Sequence, residues 1–160
     1  MVRPRAPLLR LAGGRSLGRR LDQVVHLDLS TNPIGTKAAC LLSGTRGLEE
    51  LETLSLGYCN IGPDGTAALL ASSRLSKLKI LNLSGNSPPS EFDSVALPSL
   101  ERLDMSGMRL HDVGLERFAR VKGLKGLRLL NLSRNSLTSK GMSILAAWPA
   151  LEGLEELDVV

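Results

Sequence analysis

A chain of 160 residues with 42% apolar and only 2% aromatic side chains is long enough for one ordinary domain, whose core must be built from leucine. No apolar run approaches the roughly 18 residues a membrane helix needs, and two cysteines, Cys40 and Cys59, give no framework for a secreted disulfide scaffold. The net charge of +4 belongs to one end: residues 1–20 hold six arginines and no acid, while the other 140 residues hold 14 basic and 16 acidic side chains, a balance of −2.

That first stretch, MVRPRAPLLRLAGGRSLGRR, carries Arg3, Arg5, Arg10, Arg15, Arg19 and Arg20 among leucines. It looks like a mitochondrial or plastid targeting segment and lacks the apolar core of a secretory signal. Two other readings stay open. The arm is an uncleaved tail lying along RNA phosphates or another acidic partner, or it is a start without an ordered role. With no aromatic for base stacking, any RNA contact would be electrostatic and sequence-tolerant.

From residue 21 onward the chain is a comb. Taking Leu51 as position 1, the same frame starts at Val24, Leu51, Leu78, Leu100, Leu127 and Leu154, with spacings of 27, 27, 22, 27 and 27 residues. Position 4 is Leu27, Leu54, Leu81, Leu103, Leu130 and Leu157, and position 6 is Leu29, Leu56, Leu83, Met105, Leu132 and Val159. The alternation across these positions predicts a strand with leucine turned inward. Position 9 reads Asn32, Cys59, Asn86, Met108 and Asn135. The second half of each unit, as in GPDGTAALLASS and TSKGMSILAAW, offers a turn, a glycine and aliphatics at helical spacing. Gly65, Gly114 and Gly141 recur at one position, where a close helix–strand approach would exclude a Cβ; Ala38 stands there in the first unit.

One such unit cannot bury its leucine face alone, whereas stacked neighbours make a continuous core. The pattern resembles the leucine-rich repeat family, LxxLxLxx(N/C)xL, in its longer ribonuclease-inhibitor-like subtype, and covers residues 21–160. The resemblance implies an α/β solenoid with a parallel β-sheet on the concave face and short helices on the convex face. It also implies that the position-9 asparagines hydrogen-bond turn backbone as a ladder, with Cys59 as a buried structural substitute. The expected organisation is an arm over 1–20 and a repeat domain over 21–160, of about five full repeats plus a truncated sixth strand.

Three departures stand out. The third unit is five residues short, and Pro88 and Pro89 in NSPPSEFDSVALPSL discourage a helix. An irregular convex segment is expected there, either as plain repeat variation or as a docking patch around Phe92. Met108 cannot act as a ladder amide, so a turn group in its neighbourhood needs another partner, and repeats three and four are expected to be the weakest registry. The chain reaches LEELDVV as a sixth strand begins, and an open strand edge invites pairing with another subunit.

Outward strand positions give the candidate binding residues. One column is His26, Thr53, Ile80, Arg102, Leu129 and Glu156; the next is Asp28, Ser55, Asn82, Asp104, Asn131 and Asp158. Tyr58 and Arg134 lie beyond them, and Tyr58 is the best anchor, since exposed aromatics among small residues tend to dominate interfaces. This mildly acidic, polar face suits a partner protein better than nucleic acid. Catalysis finds little support: His26 and His111 fall on different faces, and no metal-ligand spacing or phosphate-binding glycine loop occurs, so no cofactor is expected. The reading is a non-catalytic, intracellular protein-interaction scaffold that binds a partner through the concave face or the open solenoid ends. The alternative is a structural subunit of an organellar or ribonucleoprotein assembly held by the arginine arm.

Overall fold

The computed structural model describes residues 23–92 and 94–160; the arginine arm and Leu21, with the readings placed on them, lie outside. Six three-residue strands form one parallel sheet in chain order: β1 His26–Asp28, β2 Thr53–Ser55, β3 Ile80–Asn82, β4 Arg102–Asp104, β5 Leu129–Asn131 and β6 Glu156–Asp158. The register follows the comb, with Leu27, Leu54, Leu81, Leu103, Leu130 and Leu157 opposite one another. The four central leucines of this row are fully buried, while Leu157 on the last strand is 37% exposed. Each buried leucine contributes on the order of 1.5–3 kcal/mol of gross stabilisation.

Four helices make the opposite layer: α1 Gly35–Gly44, α2 Pro63–Leu70, α3 His111–Phe118 and α4 Ser139–Ala146. Pro63 opens α2, where its missing N–H costs nothing, and Asp64 follows in the first turn, where the helix dipole favours an acid. Thr138 caps α4 by accepting from the Lys140 amide at 3.2 Å. The recurring glycines do mark a close approach, but to a different neighbour from the strand expected. A Cβ on Gly65 would stand 2.7 Å from Ile61 and 3.0 Å from Ala39, and one on Gly114 would stand 2.7 Å from Leu110. On Gly141 it would stand 2.5 Å from Asp112. The helix is pressed onto its own turn and onto the preceding convex layer.

The described residues of repeat three form no helix, as expected from Pro88 and Pro89, and its convex segment is irregular. Phe92 is not an exposed docking patch. Its ring is buried and sits 5.0 Å from that of Phe118, which in turn meets Trp148 edge-on at 5.2 Å. The three rings pack tilted and edge-on against one another across repeats three to five. The sheet does not lose registry here either: Ile80, Leu81 and Asn82 pair with Arg102, Leu103 and Asp104 without a break.

The ladder explains why. Asn86 Oδ1 accepts from the amides of Cys59 and Ile61 at 3.1 and 3.0 Å, and its Nδ2 donates to Leu56 O at 2.7 Å and Leu83 O at 2.9 Å. Asn135 repeats this for the Met108 and Leu110 amides at 3.0 and 3.1 Å and for Met105 O at 2.8 Å. Each asparagine therefore serves the turn of the repeat before it. Met108 faces the turn of repeat three, where the second donor would be residue 88, a proline with no N–H. The remaining amide, of Asn86, is met within its own turn by Leu83 O at 3.4 Å. Cys59 is buried and donates its thiol to Leu29 O at 3.1 Å, and burial pushes that thiol's pKa up.

Candidate partner-binding surface

The strand register brings the predicted columns together as expected. His26, Thr53, Ile80, Arg102, Leu129 and Glu156 stand side by side, as do Asp28, Ser55, Asn82, Asp104, Asn131 and Asp158. In the first of these, His26, Arg102 and Glu156 are exposed while Ile80 and Leu129 are half-buried.

The second column has a backbone task. Asp28, Asn82, Asp104 and Asn131 each accept from the amide two residues on, at 2.9, 2.8, 2.8 and 2.9 Å. Asp158 does the same toward Val160 at 3.2 Å. These are Asx turns at the ends of β1, β3, β4, β5 and β6. The Oδ1 of each side chain is thereby committed, which leaves the aspartates a second carboxylate oxygen and leaves Asn82 and Asn131 only their Nδ2 donors. Ser55 is the exception and makes no such turn.

Beyond the turns the chain passes through left-handed backbone at Thr31, Tyr58, Gly85, Gly107 and Arg134, with φ between 56° and 66°. The same strained position recurs in every repeat, so it belongs to the turn rather than to a single site. What differs is the side chain. The Tyr58 ring is 58% exposed and lies across Gly85, where a Cβ would come within 2.5 Å of it. Gly107 follows and then Arg134, which is exposed. The two glycines leave a bare backbone notch between an aromatic side chain and a cation.

On the convex side, where the sequence reading named only a patch around Phe92, it missed a basic rim. Hollows of about 490 and 710 Å³ open beside residues 119–123, lined by Arg117, Arg120, Lys122 and Lys125. The signal was visible in the acid-free run RFARVKGLKGLR at 117–128, but the near-neutral balance of the domain masked it. His26 on β1 and His111 at the start of α3 lie on opposite layers. Among the described residues no three His, Cys, Asp or Glu side chains are grouped so as to hold a metal ion, and no helix is long and apolar enough to cross a membrane.

Residues 50–70 match one family model described as a leucine-rich repeat, and residues 126–148 match a second of that description. The repeats of this chain are leucine-rich repeats. It is similar to leucine-rich repeat-containing protein 42 of Danio rerio, with 43% identity over 67 residues, which is 39% of this chain and 16% of that relative. Its leucine-rich repeat architecture is also similar to the crystal structure of Listeria monocytogenes InlP, with a TM-score of 0.51 at 18% identity, covering 89% of this chain and 45% of the other. That second likeness shows the fold alone.

Proposed function

We propose that this leucine-rich repeat chain is a non-catalytic interaction scaffold that receives another protein on its concave sheet. The observation that carries this reading is Tyr58, an exposed ring laid over Gly85 beside the bare backbone of Gly107 and the cation of Arg134. An aromatic side chain already held against backbone loses little freedom on binding, which is what an interface anchor requires. The neighbouring columns add the charges of Arg102 and Glu156, the second carboxylate oxygens of Asp28, Asp104 and Asp158, and the Nδ2 donors of Asn82 and Asn131. The 27-residue spacing and helical convex layer fit the ribonuclease-inhibitor-like subtype. Two free cysteines, one exposed and one buried, fit a reducing intracellular setting.

The test is affinity purification of the full chain from native extract, with and without nuclease. A discrete protein that survives nuclease and is lost with Tyr58→Ala or Arg102→Glu, but kept when residues 1–20 are removed, supports the scaffold. A particle that nuclease strips away, and that depends on the arginine arm, replaces it with the ribonucleoprotein subunit. Asp104 is a poor probe, because its substitution also opens an Asx turn.

A further inference from the structure

We infer that the convex side carries a second docking groove, along residues 119–125, shaped for an acidic peptide segment bearing apolar side chains. It does not depend on the concave reading.

The groove runs along the irregular convex segment of repeat three. One hollow of about 490 Å³ is lined by Glu91, Phe92, Ser94 and Val95 on one side and by Arg117, Arg120, Val121, Lys122 and Gly123 on the other. Another of about 710 Å³ runs from the same segment to Trp148, Pro149 and Gly153. Both are lined by Arg120, Val121 and Lys122, so they are two basins of one groove. Phe92 and Val95 lie in the first basin, Leu124 and Trp148 in the second, with Val121 between them. Gly123 holds the wall in place: a Cβ there would stand 2.6 Å from Val95 O, so the basic segment is pressed backbone to backbone onto repeat three.

The rim is cationic. Arg117 is paired with Glu91 at 3.3 Å and Arg120 with Glu116 at 2.9 Å. Lys122 and Lys125 are exposed and take part in no ion pair among the described residues. Two exposed ammonium groups above a partly apolar floor are complementary to carboxylates alternating with aliphatic side chains. RNA fits less well, because its bases need exposed rings for stacking and Phe92 and Trp148 are only 7% and 5% exposed. An anionic membrane fits less well too, because the apolar atoms are recessed between charged walls and cannot enter a lipid surface.

The experiment is a selection of random phage-displayed peptides on the full chain, with counter-selection on a Lys122→Glu/Lys125→Glu variant whose fold is checked by circular dichroism. Lys122→Gln/Lys125→Gln serves as a milder second variant. The expected winners are net acidic, with aliphatic residues at helical or alternating spacing. A fluorescent copy of the leading peptide should bind the charge-reversed chain at least on the order of tenfold more weakly and lose affinity as salt rises. It should bind Tyr58→Ala as well as the parent chain, which separates this groove from the concave face. Enrichment of neutral or basic peptides, no enrichment, or indifference to both lysine variants would overturn the proposal. So would lysine-dependent binding of polyuridylate or of phosphatidylserine vesicles by a chain that selects no acidic peptide.

Discussion

At the scale of single residues, the ladder is a matter of which amide faces which oxygen. Asn135 is buried and holds two amides and two carbonyls of neighbouring turns, so Asn135→Ala should cost about 3 kcal/mol in denaturant unfolding, from several buried groups left unpaired at once. Met108 occupies the same slot without penalty because Pro88 offers no donor. Pro88→Ala restores an N–H opposite a thioether and should destabilise by about 1–2 kcal/mol. The same change in a Met108→Asn background should be close to neutral. A double-mutant cycle should then return a favourable coupling of about 1 kcal/mol; zero coupling would mean that residues 88 and 108 are independent. The sequence made the odd methionine legible but not its solution, since proline and methionine stand in different repeats and only stacking reveals them as partners. The resemblance to the repeat family implied Cys59 as a buried thiol, and Tyr58 was read as exposed from its place beyond the outward columns; both residues lie past β2, where strand alternation no longer sets direction.

At the scale of elements, the helices are tied to each other as well as to the sheet. Asp112 on α3 accepts from both the hydroxyl and the amide of Thr138, at the start of α4. The Thr138 hydroxyl first, and then its amide, lower the Asp112 pKa from its ordinary 3.8. A depressed folded pKa means a contribution to stability that is present above the unfolded value and lost as pH falls through the folded one. A carboxyl-carbon NMR titration of Asp112 should therefore show a midpoint below 3.8. Thr138→Val should move it back toward that value, and a midpoint unmoved by the substitution would separate the two groups. Helix placement was legible from the proline, glycine and aliphatic spacing. The burial of Phe92 was not, because its neighbours Phe118 and Trp148 come from the next two repeats and a single sequence does not show which rings will stack. Nor were the Asx turns separated from binding residues, since the same side chains satisfy both patterns.

At the scale of the whole molecule, the sheet is continuous while the helical layer is divided. α1 packs against α2, and α3 against α4, with the irregular segment of repeat three between the pairs. Unlike a uniform stack, the array also alternates. Asparagine occupies the ladder in the first, third and fifth repeats and a sulfur side chain in the second and fourth. Beside the strands, Glu52, Lys79, Glu101, Arg128 and Glu155 change sign at every step, with Glu52–Lys79 and Arg128–Glu155 paired at 3.0 Å. Single exposed pairs of this kind contribute little on their own, but two independent alternations impose the same parity. Excising residues 78–99 would set Glu52 against Glu101 and present Met108 to the Cys59 and Ile61 amides. Excising 78–126 instead would set Glu52 against Arg128 and present Asn135 to those amides. The longer excision is expected to leave a chain that melts cooperatively, and the shorter one to give a lower melting temperature despite removing fewer residues. The heritable module of this solenoid is thus a couplet, and its length can change without conflict only by even numbers of repeats.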